Sequence, residues 1–402
     1  MFNNINKNYI SFILFSFIFF VSPRVTFLNF SFLPTSIRIE DLLIAIFVLI
    51  YFRNILNFKV TTIDKLFFLF FIYLSINYLN GLYSGQQVSI FNFFRLIEIY
   101  LVFLIGRVFS KYLSSFSGIL FTILLINFII ISFQKFDLFP AFRAQGVYYH
   151  TSVRAYGLFG GPWELASFFP LAGLVIQNNL SLIRSIILAN FVTIFCLLSG
   201  SRTFILSLPV YLAHKFQMRQ ILYIFSIAIL IFAICLIFIK SDTFITYYGR
   251  IISLIGIDNY KAFLTYNYFT FDPIFKDWVE YNVIRDDRDP YFDLSLSKRL
   301  HKWSQVLYIY TYDFKNFFLG VGIGVFGNAV DGGWIRLFAE LGLIGGIIFI
   351  AICYYSITTK LVLFMFIILF INMIFIDIYQ SLKIIGLIFF TVGLYQGNNG
   401  KK

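Results

Sequence analysis

The sequence predicts an all-α, polytopic integral membrane protein with about 12 transmembrane helices, and three observations carry that prediction. Of its 402 residues, 60% are hydrophobic and 12% are charged, against roughly 25% charged in soluble domains. The mean hydropathy is +0.85, more apolar surface than a water-soluble globule can hide. The apolar residues also come in uninterrupted runs without period-2 alternation, which selects helices over a barrel because each helix satisfies its own backbone. Disorder is excluded by the hydrophobicity. A disulfide scaffold is excluded by the cysteine count: Cys196, Cys235 and Cys353 all lie inside apolar runs. His150, His214 and His301 are far apart, so no His-rich metal site is expected.

A span of hydrocarbon takes about 20 mostly apolar residues, fewer where flanking side chains snorkel. By that rule the segments are 9–22, 39–52, 66–80, 96–110, 114–133, 163–178, 184–199, 203–214, 220–240, 333–356, 361–377 and 384–396. Segment 9–22 lacks a small-residue cleavage site and leads into further spans, so it reads as a retained helix. Orientation follows from the basic residues of short loops. With the N-terminus inside, the inner segments hold Lys7, Arg53, Lys59, Lys65, Arg107, Lys111, Arg184, Lys215, Arg219, Lys360, Lys401 and Lys402 against one acid, Asp64. The net charge of +12 is then mostly a topological bias and needs no nucleic-acid partner. Both termini are expected inside.

This divides the chain into N-terminal spans (1–133), a loop (134–162), central spans (163–240), one large extracytoplasmic loop (241–332) and C-terminal spans (333–402). Loops as long as the last are uncommon unless functional. It carries interleaved acids and bases, and Leu294–Tyr312 has helical spacing. Asp286, Asp287 and Asp289 are either a divalent-cation site or a solvated acidic run.

Ionisable groups at membrane helices are costly and are therefore functional candidates. Arg143 and Arg154 precede Tyr156 and a Gly/Pro turn that delivers Glu164 to a helix start, where an acid either serves chemistry or complements the helix dipole. In Ser199-Gly200-Ser201-Arg202-Thr203 a tight turn opens a helix, with Ser201 as the expected N-cap. The free N–H groups and the Arg202 guanidinium there make an anion site, unless Arg202 merely snorkels to lipid phosphates. Arg299 and Trp303 are followed by Gly320-x-Gly322-x-Gly324, with no strand before it and no P-loop lysine after, so a dinucleotide site is not indicated. These glycines instead let a re-entrant turn approach a ligand or a helix closely. Asp331 sits at a helix entrance, where an N-cap is the ordinary reading. Arg336 and Glu340 are four apart on one face, the spacing of an ion pair, and Arg95 and Glu98 form a similar local pair.

Taken in order, Arg154…Gly157…Phe159…Pro162, Ser201-Arg202, a large outer loop, Arg299-x-x-x-Trp303, the Gly320–Gly324 run and Asp331…Glu340-x-Gly342-Leu343-Ile344-Gly345 resemble the O-antigen polymerase and ligase superfamily of bacterial envelope biogenesis. The likeness spans roughly residues 150–350; the first five spans agree only in hydropathy. It implies a GT-C-like fold in the bacterial cytoplasmic (inner) membrane, with a periplasmic active site. The implied activity is an inverting, metal-independent glycosyltransferase without cofactor. Its donor is an oligosaccharide on undecaprenyl pyrophosphate, and its surroundings are membrane lipid and a chain-length regulator protein. The resemblance implies contacts of Arg202 and Arg299 with the donor pyrophosphate; Arg154 and Arg336 are read as supporting them, and Trp303, Arg143 and Tyr156 as the candidate sugar contacts. Ligases of the superfamily commonly carry His where this chain has Asp331, which favours a repeat-unit polymerase and leaves the general base between Asp331 and Glu164.

The chemistry is consistent with this. Cleaving a sugar–pyrophosphate bond builds negative charge that pre-placed guanidiniums stabilise most in the transition state. A carboxylate takes the acceptor hydroxyl's proton as it attacks the anomeric carbon from the opposite face. The rivals are a ligase with another acceptor, and a flippase or other transporter. A transporter expects charges along the midplane and matching halves, whereas here they gather at one boundary.

Overall fold

Apolar runs closed by Thr, Ser or Asp at one end fold as helices, because those side chains take up the first free N–H groups. Thr61 and Asp64 illustrate this: the Asp64 carboxylate accepts from Thr61 N at 2.7 Å while the Thr61 hydroxyl accepts from Asp64 N at 3.4 Å. The computed structural model describes residues 7–23, 26–28, 37–86, 88–136, 138–143, 146–148, 156–199, 201, 203–237, 294–327 and 330–399. Within them, each of the twelve apolar segments lies on a helix: α1 (Lys7–Val21), α2 (Ile39–Ile50), α4 (Thr62–Tyr83), α5 (Ile90–Val108), α6 (Leu113–Lys135), α7 (Pro162–Gln177), α8 (Leu182–Ser199), α9 (Thr203–Ala213), α10 (Met218–Ile237), α13 (Gly333–Tyr355), α14 (Lys360–Asn372) and α15 (Leu382–Asn399). A short α3 (Phe52–Leu56) follows α2; α11 (Leu294–Tyr312), the helix expected in the long loop, and α12 (Phe314–Leu319) precede α13. The strands among the described residues are two small antiparallel hairpins, β1 (Thr26–Leu28) with β2 (Ile37–Arg38) and β3 (Ala141–Arg143) with β4 (Gly146–Tyr148).

The protein is helical and membrane-embedded. Among the described residues, four helical stretches are long and apolar enough to cross a bilayer: Thr62–Tyr83, Ser110–Lys135, Leu182–Ser199 and Gly333–Tyr355. Large apolar side chains such as Leu49, Phe68 and Ile183 stand exposed on helix surfaces, as contact with lipid requires. Inside, aromatic rings hold α1, α5, α6 and α15 together; Phe390 lies 5.5 Å from Phe15 and 5.2 Å from Phe116. Gly106 of α5 and Gly393 of α15 face each other so closely that a Cβ on either would meet the partner's backbone. Small residues at a crossing permit that approach. Next to Gly106 in the last turn of α5, Arg107 pairs at 3.0 Å with Asp64 and lies over the Phe58 ring.

Two spans differ from the sequence reading. The 361–377 segment stops being helical at Asn372, and a 3-10 turn at Ile378–Gln380 separates it from α15. Helix α13 is interrupted at Gly342, whose φ of 65° and ψ of 178° lie in a region open almost only to glycine. The break frees carbonyls that the re-entrant 319–327 segment and α4 take up: Val321 N donates to Ala339 O at 2.9 Å, Gly322 N to Glu340 O at 3.2 Å, and Asn77 Nδ2 to Glu340 O at 2.9 Å. Tyr73 Oη reaches Leu341 O at 2.6 Å. Irregular backbone at membrane depth survives only when buried and satisfied in this way. The glycine run therefore serves approach to a helix. Gly342→Ala is expected to cost about 1–3 kcal/mol or more, read as a fall in thermal stability of the purified protein; an unchanged melting temperature would show that the break is not required.

Candidate active site

The site is built around the turn that enters α13. Asp331 is the one non-glycine residue with positive φ (58°) among the described residues. Asp tolerates this region at some energetic cost, and such outliers persist where the surroundings over-determine them. Its carboxylate does not cap α13, as the ordinary reading of a helix entrance supposes; the N-cap position is Gly332. Instead Arg299 of α11 donates from Nε to Asp331 Oδ2 at 3.1 Å. One turn along α11, Trp303 donates its indole N–H to the Asp331 carbonyl at 3.2 Å and packs against Phe375. The Arg-x-x-x-Trp spacing puts both donors on one helix face, so α11 grips the turn by side chain and by backbone. The Asp331 side chain remains 36% exposed and Arg299 23%, which leaves the pair open to a ligand.

What holds the turn from beneath is Asp377, which the sequence reading passed over. Its carboxylate accepts from the N–H groups of Val330 (2.8 Å), Asp331 (3.3 Å) and Gly332 (3.0 Å), and from Arg336 Nη1 at 2.9 Å. Arg336, fully buried, also donates from Nε to Glu340 Oε1 at 2.9 Å and from Nη2 to Gly327 O. Tyr379 supplies a hydroxyl 3.5 Å from Glu340 Oε2. Two carboxylates and one guanidinium leave an excess negative charge in a dry interior; three backbone N–H groups on Asp377 and the Tyr379 hydroxyl offset it. The expected Arg336–Glu340 pair is thus present, but the Arg336 guanidinium is enclosed by protein. As a direct pyrophosphate ligand it is corrected by this burial to a residue that positions the turn.

Glu164 joins the same network from α7. Its Oε2 accepts from Gly160 N at 2.8 Å, closing the Gly/Pro turn onto the helix, and its Oε1 accepts from the Ser381 hydroxyl. Ser381 ends the 378–380 turn that begins at Asp377. Residues 377–381 therefore connect the α7 start, where Glu164 is 3% exposed, to the Asp331 turn. Glu164 thus has the helix-start role weighed from sequence, as the acid in the first turn of α7.

Of the remaining candidates, Arg154 and Arg202 lie outside the described residues. Arg143 is in β3, paired in register with Gly146. Tyr156 is buried at 6% exposure and its N–H is held by Gln134 Oε1 at 3.0 Å, so its ring is not presented to a sugar. Ser201, expected as an N-cap, lies two residues before α9 and pairs with the Thr203 hydroxyl at 2.8 Å. Asp286, Asp287 and Asp289 fall outside the described residues. Among those described, no three His, Cys, Asp or Glu side chains converge as metal ligands would. The signal that would have found Asp377 is the polar interruption Asp377-Ile378-Tyr379-Gln380-Ser381 between apolar stretches, since an ionisable residue there is a functional candidate by default.

No protein-family model matches this chain, and neither a curated protein nor a solved structure matches it.

Proposed function

We propose that this chain is a polymerase of lipid-linked oligosaccharide repeat units, for O-antigen or capsule, in the bacterial cytoplasmic membrane. It has about 12 spans, a GT-C-like arrangement and an active site on the outer face. It transfers the growing glycan from undecaprenyl pyrophosphate to the non-reducing end of a new lipid-linked unit with inversion, and works beside a chain-length regulator. The observation that carries this reading is the Arg299–Asp331 pair, a half-open guanidinium and carboxylate on a turn over-determined from below.

In this mechanism the donor pyrophosphate exchanges with Asp331 as the partner of Arg299. A phosphate offers the guanidinium a bidentate, doubly charged acceptor in place of a single carboxylate contact. The exchange frees the Asp331 carboxylate beside the new anion, where it takes the proton of the acceptor hydroxyl as that oxygen attacks the anomeric carbon. The carbon–oxygen bond to pyrophosphate breaks on the opposite face, and Arg299, with Arg202 and Arg154, holds the leaving charge. Exposure favours Asp331 over Glu164 as the base, because both Glu164 oxygens are already acceptors inside the protein.

Arg299→Ala and Arg202→Ala, each expressed in a strain lacking the chain, are expected to leave a single repeat unit and no long ladder on a polysaccharide gel. Normal ladders from well-expressed variants would remove both arginines from the mechanism. Polymer accumulating on the carrier with none attached would point to a ligase. Chain extension by purified protein in detergent, with no gradient across a membrane, separates an enzyme from a transporter.

A further inference from the structure

The two glycines that follow Asp331 have no backbone reason of their own. Gly332 has φ −157° and ψ 82°, Gly333 is the first residue of α13, and neither lies at positive φ, so a side chain is sterically allowed by the backbone at both. What excludes one is the neighbour on each side. A Cβ on Gly333 would stand 2.5 Å from the Ile376 carbonyl oxygen and 3.2 Å from Met373 Cα, which are backbone and do not yield. A Cβ on Gly332 would overlap the indole of Trp303, whose Nε1, Cε2 (2.9 Å) and Cδ1 (3.0 Å) would be its three nearest atoms. The Asp331–Trp334 turn therefore sits in a slot. One wall is backbone from the segment after α14, and the other is a single side chain from α11.

That side chain is held on several sides. Trp303 donates from Nε1 to Asp331 O at 3.2 Å, and its five-membered ring lies on Gly332. The Phe375 ring packs beside it with centroids 6.0 Å apart, and it adjoins the apolar cluster of Val306, Phe326 and Val330. A ring that stacks on a sugar has to present a free face, whereas this one is used by the protein. Arg299 stands one turn earlier on the same helix and carries the pair with Asp331 Oδ2 at 3.1 Å. The seat of the indole on Gly332 thus decides where the guanidinium stands relative to the carboxylate.

We propose that Trp303 is a positioning residue and not a sugar contact: its indole, seated on Gly332, fixes the placement of Arg299 against Asp331. The step to catalysis rests on the polymerase reading, in which the group that holds the departing pyrophosphate and the group that takes the proton must keep one geometry. The seating itself does not rest on it.

The test has two parts, both on the full chain purified in detergent. The first is the melting temperature in a double-mutant cycle. Gly332→Ala is expected to lower it in the wild-type background. In Trp303→Ala the same change should leave it unchanged or raise it, because with the indole gone an alanine only restricts the unfolded chain. Trp303→Leu, which keeps more of the packing, carries the same expectation. Equal losses from Gly332→Ala in all backgrounds overturn the seating. The second part is the kinetics of chain extension. Trp303→Phe, a ring without the N–H, is expected to lower kcat about 10²-fold, the cost of a misplacement of about 1 Å, with KM for the lipid-linked substrates little changed. A sugar platform would do the reverse, and a raised KM at near wild-type kcat overturns the proposal. Wild-type kinetics in Trp303→Phe overturn it as well. Wild-type protein that extends no glycan sinks the polymerase reading and the positioning role with it, while a reversal in the melting-temperature cycle would still establish the Trp303–Gly332 contact.

Discussion

Asp331→Asn is expected to lower chain extension by about 10²–10⁴-fold, the range a positioned general base contributes, while leaving the protein folded. Asparagine is the substitution to use because it shares the tolerance of aspartate for positive φ, so the turn keeps its 58° conformation and only the proton acceptor is lost. Alanine would mix that loss with backbone strain. The measurement is extension of lipid-linked oligosaccharide by purified protein, with melting temperature as the control for folding. Retained extension in Asp331→Asn together with its loss in Glu164→Gln would transfer the role of base to Glu164. Retention in both variants would rule out carboxylate base catalysis at this site.

The second large effect is expected at Asp377. Its replacement by alanine withdraws the shared acceptor of three backbone N–H groups and one of the two anions facing the buried Arg336. Breaking a buried pair by removing one partner costs about 3–5 kcal/mol, so a substantial fall in thermal stability is predicted. Asp377→Asn is the informative companion. The amide keeps one carbonyl acceptor and the approximate shape, so stability should fall less, whereas chain extension should still drop because the Asp331 turn is no longer held at both carboxylate oxygens. A loss below about 0.5 kcal/mol in Asp377→Ala, within the range of an ordinary surface change, would show that the turn is held by other means. Arg336→Met should be at least as damaging as Asp377→Ala, since it leaves Glu340 and Asp377 facing each other in a dry interior with no cation between them.

Most of the helices were legible in the sequence because the signal is local. Leu294–Tyr312 emerges from spacing alone within an otherwise soluble-like loop, and each apolar run lies on a helix, although the 361–377 run stops being helical at Asn372. The individual chemistry of the site was legible in part. Arg299, Trp303, Asp331, Arg336 and Glu164 all belong to one connected network, and Arg336 pairs with Glu340 as their spacing indicates. Their roles were not legible. Burial turned Arg336 from a ligand contact into a brace and removed Tyr156 from any open surface; no spacing rule reports whether a guanidinium or a ring ends inside or outside a packed bundle. Glu98 likewise reads as half of a helix pair with Arg95, and only the approach of α2 adds Asp41, Arg38 and Glu40 as charged neighbours.

The amino-acid order by itself decides the solvent this protein lives in and where its helices run, because transfer of side chains into hydrocarbon and satisfaction of the backbone within a helix are nearly additive over short windows. Tertiary packing alone decides that α13 breaks at Gly342 and that Asp377 meets a turn 46 residues earlier in the chain. Those outcomes follow from mutual satisfaction of buried polar groups that are far apart along the chain: carbonyls freed by the break accept from α4 and the glycine run, and N–H groups freed by the Asp331 turn donate to a carboxylate that no local pattern connects to it.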